Sequence, residues 1–395
     1  MSLADGRPLQ WKAEGMNISS KLPEIGTTIF TVMSRLAEES GAINLGQGFP
    51  DFDCDPALQA LVTDAMRDGH NQYAPLAGIA SLRTAISSKN ARLYGWRYDP
   101  ETDITVTAGA TQALMTAVLA VVRPGDEVIV LEPVYDSYVP AIRLAGGTPV
   151  PVRLREGDYG TPWDKVRAAR TPRTRLLIVN SPHNPSGAIW SAQDLDALEV
   201  LVQDTDLLLL SDEVYEHIVF DGAAHQSLSR RPALAERAFV VSSFGKTFHA
   251  TGWKIGYCCA PAALTAEFRK VHQFTVFAVS APMQYALAAW LEDPARYESL
   301  PSFYQAKRDR FRAGLAASRF RLLPCPGTFF QLADYSAISQ ESEEAFARRL
   351  TTAHGVAAIP VSAFYAQALE RRVVRFCFAK KDQTLDEALD RLTRI

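Results

Sequence analysis

The sequence has 395 residues, of which 47% are apolar, and its 41 basic and 44 acidic side chains leave a net charge of −3. This length and composition predict roughly two globular domains and exclude a disordered or repetitive protein. Because no long run of one charge occurs, neither nucleic acid nor an anionic membrane is an expected partner, and small molecules become the expected ligands.

The five cysteines are odd in number and scattered along the chain: Cys54, Cys258, Cys259, Cys325 and Cys377. Cysteines in this pattern are expected to be reduced core residues. The sequence contains no C-x-x-C pair and no H-E-x-x-H, so we expect no metal site. The N-terminus lacks a charged start followed by an apolar core, and no apolar stretch approaches the ~18 residues of a membrane-spanning helix. We therefore expect a cytoplasmic protein.

The N-terminal segment up to about Asp55 is rich in Gly, Pro and Asn and shows little periodicity. We expect it to lie across the ligand crevice and to complete a smaller domain. The predicted boundaries are an arm at residues 1–57, a large domain at 58–286 and a small C-terminal domain at 287–395.

From Asp103 to about Ala260, short β-branched runs alternate with helical patterns, which predicts an α/β fold with a parallel sheet wrapped by helices. A helix is predicted at 111–122. The predicted strands are 104–107, 127–131, 176–180, 207–211, 239–242 and 255–259. Because ligands bind outside the carboxyl ends of such strands, the chemistry is expected there.

After about Leu287 the pattern changes to a charged helix at 304–315, short apolar strands at 321–323, 328–332 and 373–378, and a closing helix. This order predicts a smaller α+β domain.

The segment from Ser243 to Gly256 contains two lysines, three hydroxyl residues and three glycines directly after a predicted strand. An amine at a strand end, with phosphate donors nearby, suits a Schiff base with a phosphorylated aldehyde. Lys246 is the candidate amine. A solvated surface lysine is the alternative.

Asp212 follows four leucines and a serine, so its carboxylate is expected at the end of a buried strand. It is predicted either to pair with the protonated nitrogen of a pyridine ring or to cap a following helix. Tyr215 could reach the ring's phenolic oxygen or serve in packing. Asn184 lies in a stiff Pro-rich turn from which its amide can donate a hydrogen bond.

Gly109, Ala110 and Thr111 begin a predicted helix and offer backbone N–H groups to an anion. Tyr135 could stack on a flat cofactor or belong to the core. Arg375 is a lone guanidinium on an apolar strand. It is predicted either to bind a carboxylate in a bidentate manner or to face water on an edge strand.

These segments occur together and in order, and over nearly its whole length the chain resembles the fold-type-I, pyridoxal-phosphate-dependent aminotransferases of class I/II. Lys254 follows Lys246 by eight residues, and Ser243 precedes Lys246 by three, as in that family. The resemblance implies pyridoxal 5'-phosphate as cofactor and a mostly parallel, seven-stranded sheet with a smaller α+β domain. It implies these roles: Lys246 as Schiff-base lysine and proton carrier; Gly109, Ala110, Thr111, Ser243 and Lys254 at the phosphate; Tyr135, Asn184, Asp212 and Tyr215 at the ring; Gly46, Asn184 and Arg375 at the substrate.

Tyr73 resembles the tyrosine that reaches the cofactor phosphate of the neighbouring subunit, which implies a homodimer with shared sites. By resemblance, Ile25, Phe30, Thr111 and Phe277 are candidate walls of the side-chain pocket.

Most of the family has arginine where this chain has Lys254. The sequence from Gly252 to Gly256 is similar to the branch that contains bacterial methionine aminotransferases and the kynurenine and glutamine-phenylpyruvate transaminases. Within that branch the chain most resembles the methionine aminotransferases, in the segments 107–111, 135–138, 242–246 and 354–360. The implied reaction transfers an amino group from methionine, or another apolar or aromatic amino acid, to a 2-oxo acid. The alternatives are a kynurenine–oxoglutarate or glutamine–phenylpyruvate transaminase with carbon–sulfur β-lyase activity, and a non-catalytic cofactor-sensing protein.

Overall fold

A computed structural model describes residues 19–367, 369 and 371–395. The strands of the described residues are β1 (Ile43–Asn44), β2 (Ile104–Thr107), β3 (Glu127–Glu132), β4 (Thr148–Arg153), β5 (Thr174–Asn180), β6 (Leu208–Asp212), β7 (Ala238–Ser243), β8 (Gly256–Cys259), β9 (Arg321–Leu322), β10 (Phe330–Asp334), β11 (Val356–Ala357), β12 (Ile359–Pro360) and β13 (Val373–Cys377).

The α-helices of the same residues are α1 (Ile29–Glu39), α2 (Pro56–Arg67), α3 (Ala80–Tyr94), α4 (Ala110–Val121), α5 (Tyr138–Leu144), α6 (Trp163–Ala169), α7 (Ala192–Val202), α8 (Pro232–Ala235), α9 (Phe244–Thr247), α10 (Ala262–Thr275), α11 (Ala281–Trp290), α12 (Ala295–Glu298), α13 (Leu300–Leu315), α14 (Glu343–His354) and α15 (Asp382–Leu392). Short 3-10 turns lie at Leu228–Arg230, Thr251–Trp253 and Val361–Phe364. Within the described part of the chain, no helix is both long enough and apolar enough to cross a membrane.

The large sheet has seven strands in the order β2-β8-β7-β6-β5-β3-β4. Strands β4, β3, β5, β6 and β7 are parallel, whereas β8 is antiparallel to both of its neighbours. The α/β fold with a mostly parallel seven-stranded sheet is therefore confirmed. The central strands are buried on both faces. Leu176 and Ile178 of β5 pack into one apolar cluster, and Leu177 and Val179 pack into the other.

Two features of this sheet differ from the sequence prediction. Strand β8 runs antiparallel to β7: residues 244–255, which connect the two strands, hold only the single turn of α9 and a 3-10 turn, so no crossover helix returns the chain in the same direction. Strand β4 was not predicted, because Pro149 and Pro151 argue against a central strand. It lies at the sheet edge, where it pairs with β3 alone among the described strands.

A smaller antiparallel sheet has the order β12-β13-β10-β9, and β1 pairs in parallel with β11. The pairing of Ile43 with Val356 joins the N-terminal segment to the C-terminal part of the chain. Strand β13 is buried along its whole length and carries Arg375. The domain boundaries after residues 57 and 286 and the cytoplasmic location stay predictions, and residues 1–18 of the predicted arm lie outside the described residues.

Candidate active site

A cavity of about 350 Å³ lies at the carboxyl ends of the parallel strands, where an α/β sheet binds its ligands. Strands β5, β6 and β7 end there at Asn180, Asp212 and Ser243. The predicted site residues that line this cavity are Gly109, Ala110, Thr111, Tyr135, Asn184, Asp212, Tyr215, Ser243, Lys246, Lys254 and Arg375. The sheet therefore brings together residues that are scattered over most of the sequence.

Lys246 lies in the single turn of α9, directly after β7. Its Nζ donates a 2.7 Å hydrogen bond to the carbonyl oxygen of Gly48. Burial, with smaller contributions from the positive charges of Arg375 and Lys254, lowers the pKa of the Lys246 amine to about 8, and Cys377 opposes the shift. A large fraction of the amine is therefore neutral at mildly alkaline pH, as a nucleophile or a base requires.

Asp212 is the last residue of β6 and is only 4% exposed. Its Oδ2 accepts a 2.6 Å hydrogen bond from the Tyr138 hydroxyl, and its Oδ1 accepts one of 3.3 Å from the backbone N–H of Val214. Burial raises the pKa of the Asp212 carboxyl to about 6, although the Tyr138 hydrogen bond acts in the opposite direction. Turns follow Asp212 instead of a helix, so the helix-cap interpretation is wrong.

Among the described residues, Asp212 forms no ion pair, and a buried carboxylate without a counter-ion is costly. Its environment is thus prepared for a cationic group in the cavity. Tyr215 is buried beside it, and its ring packs edge-to-face against Phe329 and Phe330, with centroid distances of 5.1 and 5.8 Å.

Asn180 holds the turn that carries Asn184. Its Oδ1 accepts a 2.8 Å hydrogen bond from the backbone N–H of Asn184, and its Nδ2 donates one of 2.8 Å to the carbonyl oxygen of Asp212. The ends of β5 and β6 are therefore connected through a side-chain amide. This arrangement fixes the position from which Asn184 contacts Arg375.

Arg375 is 1% exposed and has no acidic partner within ion-pair distance among the described residues. It donates from Nη1 to Asn184 Oδ1 at 2.6 Å and from Nη2 to the carbonyl oxygen of Gly46 at 2.9 Å. Its Nε has no hydrogen-bond partner in the described structure. Burial lowers the pKa of the guanidinium to about 10, and the Phe330 ring lies 3.9 Å from Cζ. A buried, unpaired guanidinium is a strong binding group for a carboxylate.

Gly109 forms the N-cap of α4 with a φ of 77°, a conformation that glycine adopts without strain. A Cβ atom here would lie 3.1–3.2 Å from Cε and Nζ of Lys254, so the glycine also lets that side chain approach. The N–H groups of Ala110 and Thr111 lie in the first turn of the helix, where backbone donors lack intrahelical partners. Together with Lys254, they form a positively polarised end of the cavity.

Tyr135 lies between this end and Asp212. Its ring contacts the Tyr138 ring edge-to-face, with centroids 5.6 Å apart. Burial raises the pKa of its hydroxyl, and the hydrogen bond with the Thr111 side chain opposes the shift.

Some predicted residues lie outside this chain's own cavity. Gly46 does not line it, but its carbonyl oxygen accepts a hydrogen bond from Arg375, which does. Tyr73 is 82% exposed and makes an edge-to-face contact with the exposed Phe277, 5.1 Å between centroids. Of the candidate pocket walls, Phe30 and Thr111 line the cavity, whereas Ile25 and Phe277 do not.

Several polar residues of the site are not among those that the sequence predicts, and they include Tyr138, Asn180 and Asp136. Asn180 could have been found, because it is a polar residue at the end of a buried apolar strand. Tyr138 and Asp136 lie in the segment after β3, and no spacing rule connects them to Asp212 or Arg375. The approach of these residues depends on how the strands are ordered in the sheet.

Comparison with known proteins gives a consistent result. The family model for aminotransferases of class I and II matches residues 40–392. The chain is 50% identical over 377 residues to the methionine aminotransferase of Escherichia coli strain K12, covering 95% of this chain and 98% of that protein. It is 44% identical over 386 residues to a probable N-succinyldiaminopimelate aminotransferase of Mycobacterium tuberculosis, covering 95% and 97%.

A kynurenine–oxoglutarate transaminase of Dictyostelium discoideum is 34% identical over 417 residues, covering 95% of this chain and 96% of that protein. Among solved structures, YbdL from Escherichia coli, described as having a methionine aminotransferase function, superposes with a TM-score of 0.94. Its sequence identity is 49%, and the alignment covers 96% of this chain and 100% of that one.

Proposed function

Because the chain belongs to the aminotransferases of class I and II, we propose that it transfers the amino group of methionine, or of another apolar or aromatic amino acid, to a 2-oxo acid, with pyridoxal 5'-phosphate as cofactor. The observation that carries the proposal is the convergence of the Lys246 amine, the Asp212 carboxylate and the Arg375 guanidinium in one cavity. The 50% identity to a methionine aminotransferase supports the preferred substrate.

The residues of the cavity fit this cofactor. The buried carboxylate of Asp212, which has no ion-pair partner in the described part of the chain, suits a protonated ring nitrogen. The end formed by Gly109, Ala110 and Lys254 suits a phosphate dianion. Ser243 and Thr111 line the same cavity and supply hydroxyls. When bound, pyridoxal phosphate supplies a carbonyl that accepts an amine and a ring that withdraws electrons.

In the proposed reaction, Lys246 holds the cofactor and then moves the proton of the substrate Cα. Its lowered pKa leaves the amine partly neutral, so it can accept that proton near neutral pH. Arg375 is the group proposed to bind the substrate carboxylate, through the guanidinium N–H donors that its hydrogen bonds to Asn184 and Gly46 leave free, and those two bonds hold the guanidinium in place. Bidentate capture of the carboxylate orients Cα toward the amine.

The composition of the cavity wall supports an apolar or aromatic substrate side chain. Phe30, Phe49, Leu114 and Phe330 line it, and Phe49 is 44% exposed and therefore accessible to a ligand. Burial of an apolar side chain against such a wall stabilises the complex by ~25 cal/mol per Å².

Two other donors are supported by identity to named relatives. N-Succinyldiaminopimelate is a candidate donor because the 44% identical relative is named as a probable aminotransferase of that compound. Kynurenine is a candidate because the 34% identical relative is named as a kynurenine–oxoglutarate transaminase. Both use the same constellation of Lys246, Asp212 and Arg375, so only the side-chain pocket separates them. A carbon–sulfur β-lyase activity would also use Lys246 as the base.

We further propose a homodimer with shared sites. Tyr73 lies outside the cavity of its own chain, and its exposed ring contacts the exposed ring of Phe277. Two neighbouring large aromatic side chains exposed to solvent are typical of a surface that another chain covers. Sedimentation equilibrium of the holoenzyme tests this proposal: a dimer is expected, and a monomer at micromolar concentration would contradict it.

The decisive experiment is a visible absorption spectrum of the protein with pyridoxal phosphate, before and after methionine, compared with that of Lys246→Ala. We expect methionine to bleach the visible cofactor band of the wild-type protein, a 2-oxo acid to restore it, and the variant to show neither change. Donors are then ranked by kcat/KM among methionine, phenylalanine, glutamine, kynurenine and N-succinyldiaminopimelate. Formation of pyruvate and ammonia without a 2-oxo acid identifies the β-lyase. A wild-type protein without a lysine-dependent band would refute the proposal.

A further inference from the structure

Asp136 is a charged residue of the cavity that the proposed chemistry does not use. It lies between β3 and α5, is exposed, and lines the cavity together with Tyr135 and Arg375. Among the described residues, no side chain donates a hydrogen bond to its carboxylate, and no basic group lies within ion-pair distance. Only its own backbone N–H and the more distant charge of Arg375 favour its ionised form, against the desolvation that raises its pKa.

The other charged groups of the cavity already have partners or positions. In the described chain, the cavity is lined by three cations, Lys246, Lys254 and Arg375, and by two acids, Asp136 and Asp212. Lys254 lies beside Gly109 at the helix N-terminus, and Lys246 donates to Gly48. Among the described residues of the cavity wall, Arg375 is therefore the one cation left for a substrate carboxylate. A substrate with a second carboxylate finds no basic partner on the described wall.

We propose that Asp136 is a specificity-determining residue that excludes amino acids and 2-oxo acids with an acidic side chain from the cavity, which would count against N-succinyldiaminopimelate as a donor. The inference rests on the proposed function and deepens it by defining the substrate class. An unpaired carboxylate repels a second substrate carboxylate, whereas it leaves a neutral side chain of the same shape unaffected. Specificity thus comes from a repulsive charge as well as from the apolar wall.

The test compares glutamine with glutamate, which have nearly the same shape and differ in charge. In holoenzyme carrying Asp136→Asn, we expect kcat/KM for glutamate to rise ~10-fold, with much smaller changes for glutamine and methionine. In the wild-type enzyme, a higher salt concentration should reduce the difference in kcat/KM between glutamine and glutamate, because salt screens the repulsion. In the variant, the salt concentration should not change this difference. Asp206→Asn removes a charge far from the cavity, at a side chain that is 97% exposed, and should change none of these values.

A binding measurement provides a readout that does not depend on turnover. Isothermal titration calorimetry on the holoenzyme compares glutarate with its mono-amide, and Asp136→Asn should tighten glutarate ~10-fold while changing the mono-amide far less. An unchanged preference in both experiments would overturn the inference. Equal losses for all donors would also overturn it, because Asp136 would then support Arg375. A wild-type enzyme that transfers no amino group refutes the proposed function instead, and the calorimetric comparison still tests the role of Asp136.

Discussion

The buried carboxylate of Asp212 should reduce the stability of the protein without its cofactor. Its folded-state pKa is about 6, compared with an ordinary value of 3.8, because burial disfavours the charged form. The folded state therefore binds the proton more tightly than the unfolded state. At about 1.4 kcal/mol per pKa unit, the ionised carboxylate costs about 3 kcal/mol above pH ~6.

Asp212→Asn removes this charge but keeps an oxygen that can accept the Tyr138 hydrogen bond. We expect the apoprotein of this variant to be more stable than the wild type at neutral pH, by about 1–3 kcal/mol. The gain should shrink as the pH falls from about 6 to about 4, where the wild-type carboxyl becomes protonated in both states. The same variant should bind pyridoxal phosphate more weakly and turn over more slowly, because a neutral amide cannot pair with a cation.

Urea unfolding of the two apoproteins across this pH range measures the difference in the free energy of unfolding. Asp386→Asn is a matched control, because its hydrogen bond to Arg310 lowers the pKa of a surface carboxyl instead of raising it. That control should not be stabilised at neutral pH. A stability difference for Asp212→Asn that does not vary with pH would refute the reasoning, since it would not come from the buried charge.

Three further results follow from the same contacts. Arg375→Ala should lose ~10-fold or more in kcat/KM. Arg375→Lys should not restore kcat/KM, because an ammonium lacks the planar pair of N–H donors with which a guanidinium binds a carboxylate. Wild-type kinetics in the lysine variant would contradict this role. Lys89→Met should destabilise the protein by ~3–5 kcal/mol, because it leaves the buried carboxylate of Glu216 without the ammonium that lies 2.7 Å away. In the same urea titration, the control Lys270→Met, which breaks an exposed ion pair, should cost less than ~1 kcal/mol. When pyridoxal phosphate is added to the apoprotein, the rate at which the visible absorption band appears should rise ~10-fold between about pH 7 and pH 9, because the Lys246 amine loses its proton near pH 8. A rate that does not change with pH would count against that pKa.

The sequence predicts most of the large sheet because its central strands are continuous apolar runs that end in polar or turn residues. The predicted strand at 104–107 has the bounds of β2, and the predicted helix at 111–122 differs from α4 by one residue at each end. The site follows from the same pattern, since Asp212 and Lys246 lie at or directly after strand ends that a parallel sheet brings to one edge. The edge strand β4 escapes the pattern because its two prolines and exposed residues resemble a loop.

Only the tertiary structure decides which of these side chains meet and in what electrostatic state. Arg375 donates to Asn184 across 191 residues, and Tyr138 donates to Asp212 across 74 residues. No local periodicity encodes such partners, because they depend on strand order and on the packing of two sheets. The same dependence on packing accounts for the Asp136 carboxylate, which has no partner among the described residues, and for the lowered pKa of Lys246. The sequence alone determines the chemical groups and their strands, while the burial and charge around each group, which set its pKa and its ligand, arise when the chain folds.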